Sequence, residues 1–117
     1  MRPTDALVER AVDTLVATRG ERSIAALASG LAVSERTLLR RFKAATGITP
    51  KQFARVRRLL AAAWQVVEGE ETWGQIAAGS GYADQPHLNH DVVWLTGLRP
   101  YEFGSRIRST KHDRVKR

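Results

Sequence analysis

The chain has 117 residues, 43% of them hydrophobic, a net charge of +7 and no cysteine. That is enough for one compact domain or two very small ones sharing a helix, and it rules out global disorder, a disulfide framework, a cysteine-based zinc site and a thiol nucleophile. No apolar run approaches the roughly 20 residues that span a bilayer, and Met1 to Arg10 has no apolar signal core, so a cytoplasmic protein with no membrane partner is expected.

Helix formers dominate and alternating strand-like runs are absent, so the expected class is all-α, and the elements read in order as about seven helices. Thr4 or Asp5 caps a first helix carrying Val8, Val12, Leu15 and Val16, which Gly20 ends. Ser23 caps a short helix with Ile24, Leu27 and Ala28 on one side, and Gly30-Leu31-Ala32-Val33 makes a tight turn. Ser34 caps a longer helix whose Leu38 and Phe42, four apart, share a face, and Gly47 closes it. Thr49-Pro50-Lys51-Gln52 places a cap, a first-turn proline and a glutamine at the spacing that starts a helix, expected over Pro50 to Glu68 with Phe53, Val56, Leu59, Leu60, Ala63 and Val67 as its apolar side and Gly69 as its stop. Thr72 and Gln75 form a second capping box, opening a short helix through Ile76 and Ala77, followed by a Gly79–Gly81 turn. Asp84 caps a helix with Leu88, Val92 and Leu95 inward, Gly97 stops it, and Pro100 starts a last short helix through Phe103. From Ser109 the chain is polar and basic and is expected to fray. The expected organisation is a first subdomain over 1–49, a linker helix over 50–69, a second subdomain over 70–108 and a basic tail over 109–117.

The chain repeats itself. Ala45-Thr46-Gly47-Ile48-Thr49-Pro50-Lys51-Gln52-Phe53 aligns with Leu95-Thr96-Gly97-Leu98-Arg99-Pro100-Tyr101-Glu102-Phe103 at an offset of 50 residues, which also pairs Leu38 with Leu88 and Phe42 with Val92. Upstream of Glu35 the offset falls to 49, pairing Val33 with Tyr82 and Ala28 with Ala77, so that Asp84 is expected to occupy a one-residue insertion. Each copy reads as short helix, turn, longer helix and Pro-started helix, the pattern of a helix-turn-helix, in which the first helix braces a second that enters the DNA major groove.

The positive charge is blocked. Residues 36–58 carry eight Lys/Arg and no acid, whereas residues 59–98 carry five acids and no Lys/Arg; the ends are net −1 over 1–35 and +5 over 99–117. Such clustering suits a phosphate backbone, where each neutralised phosphate releases counterions. With Leu38 and Phe42 inward, Arg36, Arg40 and Lys43 face outward with Leu39 on the flank. Arg36 and Arg40 point the same way, suited to guanine O6 and N7, while Leu39 suits a thymine methyl and Ser34 at the helix start suits a phosphate. The plain alternative is a solvated helix face; the lack of any acid across 36–58 argues against it.

The stretch Ser23 to Phe103, about two thirds of the chain, resembles the DNA-binding domain of the AraC/XylS family of transcriptional regulators. The resemblance rests on Ala28, Val33-Ser34, Arg36-Thr37-Leu38, Arg40, Phe42-Lys43, Gly47-Ile48-Thr49-Pro50, Phe53, Arg58-Leu59 and Ala62 in the first half. In the second it rests on Ile76-Ala77, Gly81-Tyr82, Asp84-Gln85, His87-Leu88, Thr96-Gly97-Leu98, Pro100 and Phe103. It implies seven helices, two helix-turn-helix units reading adjacent major-groove sites in double-stranded DNA, and a bacterial activator or repressor contacting RNA polymerase. It also implies base contacts by Arg36, Leu39 and Arg40 in the first unit and by Gln85, Pro86, Asn89 and His90 in the second. The DNA-contacting set expected for the first unit is Ser34, Arg36, Thr37, Leu39, Arg40, Arg41 and Lys43. Most proteins of that family carry a separate effector or dimerisation domain, which is missing here; the chain either stands alone or is a fragment of a longer regulator, and it is expected to be monomeric by itself, a dimer being open only through such a missing domain.

The second recognition helix departs from the family pattern. Where arginine is usual stands His90, and the run Asp91-Val92-Val93-Trp94-Leu95 has no Lys or Arg; Asp91 would repel phosphate if it faced DNA. An asymmetric reader is expected, with the first unit dominant. Trp94 is expected in the core, the alternative being an exposed surface for a protein partner; Trp64 and Trp73 are expected as core or as hinge packing between the units. His87, His90 and Asp91 have a metal-like spacing, but no further ligands cluster with them, so no metal and no cofactor is expected. No catalytic constellation or phosphate-binding glycine loop is present, so the chain is not expected to be an enzyme. The competing readings are a protein-interaction module using Trp94 and a non-specific basic nucleic-acid binder.

Overall fold

A computed structural model describes the backbone of residues 5–69 and 71–116 and the side chains of 5–69 and 71–109. Thr4 and the side chains of the basic tail from residue 110 lie outside the described residues. Seven helices follow one another: α1 (Ala6–Ala17), α2 (Ile24–Gly30), α3 (Glu35–Thr46), α4 (Pro50–Glu68), α5 (Trp73–Gly79), α6 (Gln85–Thr96) and α7 (Pro100–Lys116). The fold is all-α, and among the described residues there is no strand.

Cap chemistry sets the boundaries. Asp5, Ser23, Ser34, Thr72 and Asp84 each accept from backbone N–H groups in the first turn of the helix they precede, satisfying donors that have no partner inside the helix. The Thr72–Gln75 box closes in both directions, and Thr49 and Gln52 exchange the same pair of bonds at the start of α4. α3 and α6 both end on a glycine in the left-handed region, Gly47 at φ 83° and Gly97 at φ 72°, a conformation that a side chain disfavours.

The chain divides into two compact units, residues 1–57 and 58–117, and the boundary falls inside α4. The first buries Leu7, Val8, Ala11 and Leu15 of α1, Leu27 and Ala28 of α2, Leu38 and Phe42 of α3 and Ala54 of α4. Phe53 meets the Phe42 ring edge-on at 5.8 Å. The second buries Leu59, Ala62 and Val66 of α4, Ile76 and Ala77 of α5, Tyr82, and Leu88 and Val92 of α6, with Trp73, Phe103 and Ile107 packed against them. Thus α4 gives its first turns to one core and its later turns to the other.

The repeat is present in the hydrogen bonds as well as in the sequence. Val33 N–H reaches the Ala28 carbonyl as Tyr82 N–H reaches that of Ala77, and Thr46 Oγ1 donates to the Phe42 carbonyl as Thr96 Oγ1 does to that of Val92. The one-residue insertion sits at Ala83 and not at Asp84, because Asp84 is the helix cap corresponding to Ser34. In the shortened turn Ala32 takes φ 58°, where the second unit has Gly81 at φ 82°.

Several apolar residues expected inside lie outside. Val16, Leu60 and Leu95 are exposed, while α4 buries Leu59 as expected and, beside it, Ala54, Ala62 and Val66. Trp64 is 57% exposed and Trp94 41%, so neither is a core residue; Trp73 does pack, with its ring 5.8 Å from that of Phe103. The last helix runs to Lys116 and does not stop near Phe103.

Gly104 in α7 lies under Trp73: a Cβ placed there would stand 2.7 Å from the indole Nε1. Gly104→Ala should therefore destabilise the second unit by about 1–3 kcal/mol from overpacking, although alanine favours helix by about 1 kcal/mol. Thermal and denaturant unfolding monitored by far-UV circular dichroism checks this, and a stabilised Gly104→Ala variant would contradict the packing. In the turns, Gly81→Ala should cost about 1–2 kcal/mol, while Ala32→Gly should leave stability unchanged or raise it.

Candidate nucleic-acid interface

α3 is held by its inner face. Leu38 and Phe42 are fully buried, each contributing about 1.5–3 kcal/mol by burial, and the opposite face is left to solvent. Arg36, Arg40 and Lys43 are exposed there, and among the described residues no ion pair engages Arg36 or Arg40. Leu39 is 45% exposed beside them. At the N-terminus the Ser34 hydroxyl caps Thr37 N–H at 3.1 Å and donates to Thr37 Oγ1 at 3.0 Å, so both side chains sit at the positive end of the helix.

Arg41 is placed differently. Its Nε donates to Asp5 Oδ2 at 3.0 Å and its terminal nitrogen to Asp5 Oδ1 at 2.6 Å. Asp5 Oδ1 also accepts from Leu7 N–H and Val8 N–H, capping α1. Beside this pair an open groove of about 730 Å³ runs between α1 and α3, with Val8, Val12, Ala44 and Ala45 in its lining. Arg58, another cation of the basic block, lies over the Tyr82 ring at 5.4 Å. The basic block therefore serves packing as well as exposed charge.

In α6 the outer face carries Pro86, His90 and Val93, all exposed, with Asn89 half-buried. Gln85 and Asn89 border a cavity of about 260 Å³ with Trp73, Pro100 and Tyr101. His87 is exposed but engaged: its Nδ1 accepts from Ala83 N–H at 3.2 Å, and its ring meets Tyr82 edge-on at 5.0 Å. Asp91 is only 2% exposed. It points inward, so the repulsion expected of an acid on the reading face does not arise. Among the described residues no group of three His, Asp or Glu could hold a metal, and no helix is long and apolar enough to cross a membrane.

A family model described as a helix-turn-helix domain matches residues 27–106. An AraC-like transcription regulator of Streptomyces lividans is 35% identical over 81 residues, 69% of this chain. The chain belongs to the AraC-type helix-turn-helix family. It spans 27% of the length of that Streptomyces regulator.

Solved structures share the fold. An AraC-type transcriptional regulator from Chromobacterium violaceum is 24% identical with a TM-score of 0.75, over 86% of this chain and 91% of that one. The C-terminal domain of AraT, a response regulator from Geobacillus stearothermophilus, is 21% identical with a TM-score of 0.78, over 90% and 88%. The DNA-binding domain of AdpA, solved with a target DNA, is 23% identical with a TM-score of 0.74, over 92% and 96%.

What the sequence did not signal was the partner of Arg41, 36 residues away, and the inward turn of Asp91. The repeat offered one clue: position 41 aligns with position 91, one residue from the buried Phe42 and Val92. The Arg41 guanidinium holds the Asp5 carboxyl below its ordinary value, chiefly through the side-chain hydrogen bond. A depressed folded-state value means stabilisation that is present above about pH 4 and is lost as pH falls through the folded value. Asp5→Asn, which retains a capping oxygen, should therefore flatten the acid limb of the stability curve, as read by unfolding midpoints between pH 2 and 5; an unchanged limb would contradict the pairing.

Proposed function

We propose that the chain is the DNA-binding domain of a transcriptional regulator whose first unit dominates. α3 enters a major groove, with Arg36 and Arg40 on guanine edges and Leu39 against a thymine methyl, while Ser34, Thr37 and Lys43 meet phosphates. α6 contributes less, with Gln85 and Asn89 suited to adenine, Pro86 beside them at the helix start and His90 suited to a phosphate. The observation that carries this reading is the pair Arg36 and Arg40: two exposed arginines on the outer face of a helix whose inner face is locked into the core. The AdpA domain solved with a target DNA supports it through the shared fold.

A second surface favours a protein contact as well. Val93, Trp94 and Leu95 are all exposed on consecutive positions of α6, where the first unit has Lys43, Ala44 and Ala45. In a longer regulator this apolar surface suits a contact with RNA polymerase.

The test is a gel shift with random and selected duplexes at two salt concentrations. Arg40→Ala should relax preference at one base position by about 1–3 kcal/mol, and Lys43→Ala should weaken all duplexes alike and lower the salt slope by about one. Trp94→Ala should leave DNA affinity intact. A chain that binds no duplex more tightly than random DNA overturns the reading.

A further inference from the structure

We infer that Arg41 is a positioning residue, which clamps the recognition helix α3 to the capped end of α1 and does not touch DNA. The inference rests on α3 being the DNA-reading helix. Consecutive residues of a helix project about 100° apart, so Arg41 stands well off the face shared by Arg36 and Arg40 and turns toward α1. There its planar guanidinium meets both oxygens of Asp5, through Nε and a terminal nitrogen, a fork geometry that fixes orientation as well as distance. The same carboxylate caps Leu7 N–H and Val8 N–H. One carboxylate thus accepts from the first turn of α1 and from the middle of α3, and a rotation or slide of α3 would break its two bonds to Arg41.

The repeat supplies an independent observation. The position aligned with Arg41 is Asp91, and it is buried. An acid and a base occupy the same place in the two recognition helices, and neither side chain lies on the outer face. In neither recognition helix is that position given to the outer face, although the charge placed there differs between the units.

The bare ion pair is partly exposed, 40% for Arg41 and 24% for Asp5, so its effect is expected on the aim of α3 more than on overall stability. The experiment measures affinity for a selected duplex against salt concentration for the wild-type chain, Arg41→Ala, Asp5→Asn and the double variant. The salt slope and binding to random DNA are read alongside. A positioning role predicts that each single variant loses about tenfold in specific affinity, within the range of coupled neighbours. The double variant should lose no more than either single one, and the salt slope should stay unchanged. A phosphate contact predicts instead that Arg41→Ala lowers the slope by about 0.9 and that Asp5→Asn, which frees the arginine, leaves affinity equal or higher; that result overturns the inference. So does an Arg41→Ala variant with wild-type specific affinity. Because Asn still caps α1, loss in Asp5→Asn is not a loss of folding, which circular dichroism of each variant checks. In the free protein, NMR titration of the Asp5 carboxyl should move up toward its ordinary value in Arg41→Ala, and in the wild-type chain the Arg41 Nε–H signal should be unmoved when duplex is added. If the wild-type chain selects no duplex, the DNA reading fails, while the titration still reports on the clamp.

Discussion

Each recognition helix of this protein is held along one side only, and that constraint organises the rest. Leu38 and Phe42 in α3, and Leu88 and Val92 in α6, are spaced four apart and fully buried. Anchoring through such a pair fixes the rotation of a 12-residue helix while leaving its opposite side to solvent. The short helices α2 and α5 make this possible at small size, because Ala28 and Ala77 let them approach closely and the turns after them are closed by matching hydrogen bonds. The cores on either side of the α4 boundary share no residue, so each unit solves the same packing problem with its own side chains.

The two solutions diverge on the outer side. α3 offers Arg36, Arg40 and Lys43, and α6 offers Pro86, His90 and Val93 at the aligned places. Arginine and lysine, the side chains whose chemistry suits guanine edges and phosphate, belong to the first set alone. The second set retains the architecture, with Gln85 and Asn89 beside a small cavity, and adds apolar surface at Val93, Trp94 and Leu95. Asp91, whose charge would repel phosphate from an outward position, is buried.

Helix starts and stops were legible because they are local. Ser34, Thr72 and Asp84 act on N–H groups three residues away, and Gly47 and Gly97 supply a backbone conformation at their own positions, so short sequence windows hold the whole cause. The inner pair of α3 was legible for the same reason, being a matter of periodicity. Residues whose fate depends on a distant neighbour were not. Leu95 continues the apolar spacing of α6 yet lies exposed in its last turn, Trp94 and Trp64 are exposed, and α4 buries Ala54 and Ala62 beside the expected Leu59. The length of α7 was missed because its later residues, read from composition, resemble a polar tail.

The sequence by itself determined that the chain is helical, where six of its seven helices lie, that it is built twice over, and that the first recognition helix carries cations where the second carries none. These follow from cap chemistry, periodicity and charge order, all of which act over a few residues. Only the tertiary structure decided which cations remain available. Arg36 and Arg40 face outward, Arg41 is drawn to Asp5 at the far end of its unit, Arg58 lies over Tyr82, and Asp91 turns inside. Those outcomes depend on which helix face packs against which, through contacts between residues up to 36 positions apart, and no local pattern contains that information.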